Sequence, residues 1–234
     1  IDGISSSELM FAGVQNLKNP ISRPDFFDDI SKNVITMRRM FANHIYNNPD
    51  IANSFNQSIS NWDTSSVKDM HAMFEYSYFN QDLSSWDVSS VEDMGWIFKS
   101  SKFNRDISNW DTPSVDNMEM AFYLSDFNQD ISVWDVSNVD IMDEVFGWSK
   151  FNQDLSNWDV QSKILIGLGE SSMSISNYDK TLIGWSDKVS PAREINISAA
   201  GLQYCLGKAA RDNLINNYNW NFIGDSENCS TVNE

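Results

Sequence analysis

The chain repeats itself every 24 residues. Phe55, Phe79, Phe103, Phe127 and Phe151 stand in strict register, as do Trp62, Trp86, Trp110, Trp134 and Trp158. A fixed period of this length constrains the fold more than any local propensity. One such unit cannot bury its own apolar face, whereas stacked copies share a continuous core.

Within a copy the apolar period changes midway. In "FNQSISNW", Phe55 and Ile59 fall at even spacing with polar Asn56, Ser58 and Ser60 between them, which predicts a short strand. In "VKDMHAMF", Val67, Met70, Met73 and Phe74 fall at i, i+3, i+6 and i+7, one face of a short helix. The expected fold is therefore α/β: a solenoid of 24-residue strand–helix repeats with parallel strands, capped at both ends. The Phe, Ile/Leu, Trp, Val and Met rows become ladders in one core, where Met sulfur can also contact aromatic rings.

Two acidic rows follow the same register. Asp63, Asp87, Asp111, Asp135 and Asp159 come directly after the Trp row, and stacked like charges need an offset. The helix is expected just beyond, and Pro113 sits where a first helical turn tolerates proline. These five are thus expected to be helix N-caps, their carboxylates accepting free backbone N–H groups. The alternative is a row of calcium sites, against which stands the lack of any Asp-x-Asp-x-Asp-Gly spacing. Asp82, Asp106, Asp130 and Asp154 form the second row, replaced by Ser58 in the first copy. The row Asn56, Asn80, Asn104, Asn128 and Asn152 is expected to form a hydrogen-bonded ladder between turns.

Outside the regular copies the pattern degrades. "VITMRRMF" repeats the apolar spacing from Val34 and is followed by a longer connection. Residues 1–33 read as an N-terminal cap, 34–160 as the repeat array with an insertion at about 43–54, and 161–234 as shorter repeats plus a C-terminal cap, all in one continuous domain. "SISNYD" and "EINIS" suggest further turns at 20-residue spacing, "AARDNLINNY" a last helix and "WNFIG" a final strand. Cys205 and Cys229 flank the last two, which suggests a disulfide stapling that cap and an oxidising compartment. The other reading is two free buried thiols.

The units "FNQDLSSWDVSSVEDM" and "FNQDISVWDVSNVDIM" resemble the repeats of BspA-like leucine-rich-repeat surface proteins, which also occur in mycoplasma lipoproteins. The resemblance covers about residues 34–160. The tail from "NYDKTLIGW" through "GLQYCLGKAARDNLINNYNW" resembles the closing segment of such proteins from the Bacteroidetes group. It implies a leucine-rich-repeat-like fold, export to the bacterial surface, and adhesion to host or neighbouring-cell components. Lys163 and Ile164 depart from the pattern, replacing the Val-x-x-Met opening after Asp159.

Charge and composition narrow the function. The net charge is -17, and residues 55–174 carry 20 acids against 6 bases. Such a chain repels phosphate, which argues against nucleic acid and anionic membranes and leaves cations, basic proteins and neutral glycans. No apolar run approaches the roughly 20 residues needed to cross a bilayer, and no signal peptide is present. The sequence begins at Ile1, and any signal or anchor is expected to lie outside it. His44 and His71 have no second His or Cys at ligand spacing, and neither a nucleophile elbow nor a phosphate-binding glycine loop occurs. No enzyme, metal or cofactor is expected.

Binding is the stronger reading, and specificity should lie where the copies differ. After each predicted helix come "EYSY", "KSSK", "YLSD" and "GWSK", which place Tyr76, Tyr78, Lys99, Lys102, Tyr123, Trp148 and Lys150 along one edge. His71, Trp96 and the 43–54 insertion are weaker candidates, and the aromatics have the alternative of folding back onto the core. The expected function is a non-enzymatic, secreted or surface-bound adhesion or protein-recognition module. A glycan-binding module and a passive spacer in a larger surface protein are the alternatives.

Overall fold

The computed structural model describes residues 34–43, 55–160, 165–188 and 194–230. The expected N-terminal cap, all of the insertion but Asn43, and Lys163 with Ile164 lie outside the described residues.

The 24-residue period is a physical repeat. Successive copies stack so that equivalent side chains form columns: Phe55, Phe79, Phe103, Phe127 and Phe151 follow one another at 6.1 to 6.5 Å between ring centroids. A second column, Phe41, Phe74, Phe98, Phe122 and Phe146, runs beside it at 5.4 to 5.8 Å. The tryptophans from Trp62 to Trp134 stack at 5.9 to 6.5 Å. With the Val, Met, Ile and Leu rows they make one buried cluster that runs from Val34 to Trp220. Each buried aromatic removes roughly 150–250 Å² from water, so these columns supply most of the driving force for stacking.

The local elements differ from expectation. No helix follows the Asp rows in the described part of the array, and the predicted helix is a run of tight turns. Met73, Glu75 and Ser77 donate N–H bonds three residues back, to Met70, Ala72 and Phe74, at 3.1 Å each. The alternate residues Met70, Ala72, Phe74 and Tyr76 donate instead to the next copy, to Asp93, Gly95, Ile97 and Lys99, at 2.8 to 2.9 Å. A helix would need every N–H within its own coil. Left-handed backbone at Ala72, Tyr76, Trp96, Ser100, Met120, Leu124, Glu144 and Trp148 breaks helical geometry twice per copy. Turns closing at i+3 and a helix both repeat the apolar spacing at about three residues, so the spacing predicted burial correctly and the element wrongly.

The predicted strand is also replaced. Along Phe–Trp, side chains substitute for a backbone ladder: each Asn Oδ1 accepts the backbone N–H of the Asn one copy later, from Asn56 through Asn128, at 2.7 to 3.0 Å. Trp86, Trp110, Trp134 and Trp158 donate Nε1–H to the carbonyls of Ile59, Leu83, Ile107 and Ile131. The expected asparagine ladder is present. Parallel pairing lies on the other side of each coil, as single bridges from Thr36 to Asp69, Asp93, Asn117 and Ile141.

Among the described residues, regular elements occur after residue 164. Strand β1 (Leu165–Gly167) pairs in parallel with β2 (Asn196–Ser198), which pairs in parallel with β4 (Asn221–Ile223). The two-residue strands β3 (Gln203–Tyr204) and β5 (Ser226–Glu227) form a second parallel pair. Helices α1 (Ile175–Lys188) and α2 (Lys208–Tyr218) pack on each other. Among the described residues the molecule is thus mixed α/β with parallel strands and two helices. The final helix and the strand at "WNFIG" fall where expected. "SISNYD" does not form a short turn: it opens α1, where Ser174 Oγ accepts the Asn177 N–H. The helix lengthens that coil, and Leu165 and Asn196 face each other 31 residues apart in place of the expected 20.

Candidate functional site

The variable edge is built by segments 75–81, 99–105, 123–129 and 147–153, which follow the turn run in four successive copies. Buried Ser77, Ser101, Ser125 and Ser149 fix the path, their hydroxyls accepting the N–H of Phe79, Phe103, Phe127 and Phe151. Residues on either side of each serine then alternate outward. Of the nine candidate residues named above, four stand at the surface: Tyr78 (49% exposed), Lys102, Trp148 (57%) and Lys150. His71, Tyr76, Trp96, Lys99 and Tyr123 are half-buried.

The inward group has its own geometry. Lys99 Nζ lies 3.3 Å from the Trp96 ring centre and 3.9 Å from Glu75 Oε1, while His71 stacks on Trp96 at 5.8 Å. The Glu75 side chain is 1% exposed and neither oxygen accepts a hydrogen bond. Burial raises its pKa above 4.5 against the attraction of Lys99, Arg39 and His71, and burial likewise lowers that of Lys99. Asp93 behaves otherwise: burial would raise its pKa, but bonds from His71 and the Gly95 N–H outweigh it and hold it low. Gly95 has no room for a side chain, since a Cβ would stand 2.8 Å from Asn117 Nδ2 and 2.9 Å from His71 Nδ1.

Three further residues complete the outer strip. Leu124 is 48% exposed in the same register as Trp148. Asp126 holds Lys102 at 3.1 Å and Lys150 at 2.8 Å, and Arg105 Nε donates to the Asn80 carbonyl. Burial works against ionisation of Asp126, yet the two lysines keep its pKa low. Aligning the copies by register would have pointed to all three; reading only aromatic and lysine positions passed over them.

The edge also gathers most of the bases of the array. Residues 55–160 contain five bases and nineteen acids. Four of the bases (Lys99, Lys102, Arg105, Lys150) and two of the acids (Glu75, Asp126) fall in the four edge segments. An acid follows each segment directly (Asp82, Asp106, Asp130 and Asp154), so the edge with this border carries four bases and six acids and shares the negative sign of the array. Glu144 borders it, its carboxylate occupying the place a side chain on Gly147 would take.

The acidic rows cap turns. Asp63, Asp87 and Asp135 Oδ1 accept both the N–H and the hydroxyl of Ser65, Ser89 and Ser137. In the second row, Asp82, Asp106, Asp130 and Asp154 accept the N–H of the serine two residues on. This corrects the helix-cap expectation for Asp63, Asp87, Asp111 and Asp135: with no helix beyond, the backbone N–H groups they face belong to two-residue turns. At Asp111 the residue two further on is Pro113, which has no N–H to give. For Asp159 the positions where the helix was expected to begin lie outside the described residues. Among the described residues no group of three or more His, Cys, Asp or Glu is arranged to hold a metal ion.

The C-terminal end is closed by the Cys205–Cys229 disulfide and by two carboxylates. Asp179 of α1 accepts the N–H groups of Cys205, Leu206 and Gly207. Asp225 takes two bonds from Arg211 and the hydroxyl of Tyr178, whose pKa burial drives upward. Among the described residues no helix is long and apolar enough to cross a membrane.

A family model described as "Mycoplasma protein of unknown function, DUF285" matches residues 5–125 and 100–164. No curated protein and no solved structure matches the chain.

Proposed function

The chain belongs to this Mycoplasma family, DUF285, and from that premise we propose that it is a non-enzymatic recognition module which binds a protein partner through its variable edge. The carrying observation is the contrast between rows. The constant positions are consumed by packing and turn capping, while Tyr78, Leu124 and Trp148 face outward beside Lys102 and Lys150, whose ammonium groups pair with Asp126. Rigid aromatic and basic side chains on a fixed backbone lose little entropy on contact, the property that makes them interface anchors.

In this reading the stack is a leucine-rich-repeat-like solenoid of the BspA-like kind, an adhesion module of a bacterial surface or secreted protein. The disulfide supports an oxidising compartment. Protein is preferred to glycan because the amides that would read sugar hydroxyls are engaged with one another. Asn56, Asn104 and Asn128 Oδ1 each accept from a neighbouring glutamine as well as from a backbone N–H.

The test is an array of extracellular-matrix proteins and glycans probed with the labelled chain and with a Tyr78→Ala/Trp148→Ala variant. A protein hit lost in the variant supports the proposal. Hits confined to glycans, or hits the variant keeps, would overturn it.

A further inference from the structure

Trp148 stands between a leucine and a glutamate in one column of the edge. The Leu124 N–H donates to the Gly147 carbonyl and the Trp148 N–H to that of Gly169, at 2.9 and 3.0 Å, which sets Leu124, Trp148 and Glu170 at equivalent places in three successive coils. All three are exposed and share left-handed backbone, with φ of 55°, 57° and 56°, so their side chains leave the coils in one direction. An aliphatic chain, an indole and a carboxylate thus follow one another at about 5 Å per coil. Gly201 in the next coil leaves that carboxylate open, since a Cβ there would stand 2.9 Å from Glu170 Oε2. Glu144 brings a second carboxylate over Gly147, the residue before Trp148.

Elsewhere the molecule completes the same pairing of ring and carboxylate from within. Lys99 Nζ lies 3.3 Å from the Trp96 ring centre and 3.9 Å from Glu75 Oε1. Arg211 lies 4.9 Å from the Tyr204 and Phe222 rings and 2.7 Å from Asp225 Oδ2. Among the described residues no base joins Trp148 to Glu170 in this way. Lys102 and Lys150 are drawn the other way, onto Asp126 in the coil of Leu124, and Arg105 Nε bonds the Asn80 carbonyl. The surrounding array carries five bases and nineteen acids over residues 55–160, so its field adds to the attraction for a cation.

Resting on the recognition reading, we propose that this column takes a lysine or arginine side chain of a basic protein partner. The charge lies on the Trp148 ring and the Glu170 carboxylate, and the aliphatic stem lies on Leu124.

Immobilised poly(Lys,Tyr) and poly(Glu,Tyr) are the probes, read by interferometry. The chain should bind poly(Lys,Tyr) alone. Affinity should fall about tenfold in Trp148→Ala and about threefold in Glu170→Gln, while Trp148→Phe, which keeps a ring, should retain most of it. Asp140→Asn removes the same charge from an exposed position on the bridge side of the coil and should change affinity by less than about twofold, which separates the site from the general field of the array. Thermal melts verify the folding of every variant. Absence of binding to poly(Lys,Tyr), equal binding of the two polymers, no loss in Trp148→Ala, or equal losses in Asp140→Asn and Glu170→Gln would overturn the proposal. A matrix-protein hit that needs Trp148, coupled with silence toward poly(Lys,Tyr), would remove the basic side chain and keep the recognition module. Silence in both assays would remove both.

Discussion

Replacing Asp179 tests how the C-terminal end of the stack is held. Its carboxylate, 4% exposed, receives N–H bonds from Cys205 and Gly207 on Oδ1 and from Leu206 on Oδ2, all at 2.8 to 2.9 Å. These donors lie in the turn that leads into α2, and the contact is close enough that a Cβ on Gly207 would stand 2.8 Å from Oδ1. A hydrogen bond to a charged group contributes about 1.5–3 kcal/mol, and a buried donor left alone costs about 1–3 kcal/mol. Asp179→Ala strands three donors in space that water can partly refill, so the expected loss is about 4 kcal/mol, near the upper end for a single substitution. Asp179→Asn keeps one oxygen for Cys205 and Gly207 but sets its amide N–H against that of Leu206, and should cost about 2 kcal/mol. Urea unfolding with the disulfide intact measures both, and hydrogen exchange at residues 205–207 localises the effect. A loss under about 1 kcal/mol for the alanine variant, or equal losses for the two, would refute the reasoning.

Acidification should weaken the array. Hydrogen bonds from Ser84, Ser89 and Ser108 hold the Asp82, Asp87 and Asp106 pKa values low, so the folded form releases their protons more readily than the unfolded one. Their stabilisation is present above about pH 4 and is lost as pH falls through the depressed values; a flat profile of urea midpoint from pH 5 to pH 2 would contradict it. Glu75 has the opposite sign: its raised pKa makes ionisation cost stability as pH climbs past 4.5, and Glu75→Gln should flatten that part of the profile. Asn104→Ala removes the acceptor of the Asn128 N–H and should cost about 1 kcal/mol, whereas Asn104→Asp keeps an acceptor and should recover most of it in thermal melts. Reducing the Cys205–Cys229 bridge, which spans 24 residues, should lower stability by about 3 kcal/mol in the chain-entropy account, measured with and without reductant.

The aromatic register could be read from sequence because burial of Phe and Trp is set by composition and period, and every Phe and Trp of that register is 4% exposed or less. The element types could not. Turns closing at i+3 imitate helical spacing, and what separates them is left-handed backbone at Trp96, Met120 or Glu144, residues with no propensity for it. That conformation costs about 1–2 kcal/mol per residue and persists because the bonds to adjacent coils require it. At the edge, the outward direction of Tyr78 and Trp148 follows from alternation about the buried serines and was legible. The retreat of Lys99 was not, since it depends on a buried Glu75 one coil away and on a ring three residues earlier.

The asparagine ladder joins equivalent positions 24 residues apart, from Asn56 to Asn152, and ends at Ser174, whose N–H meets Asn152 and whose hydroxyl caps α1. Each coil therefore presents to the next the same socket that it fills in the last. A gene encoding such a chain can lose or gain a whole copy by slippage between near-identical segments without redesigning any joint. The length of the exposed ridge, and with it the reach and valency of the molecule, becomes adjustable in single-copy steps while both ends stay as they are.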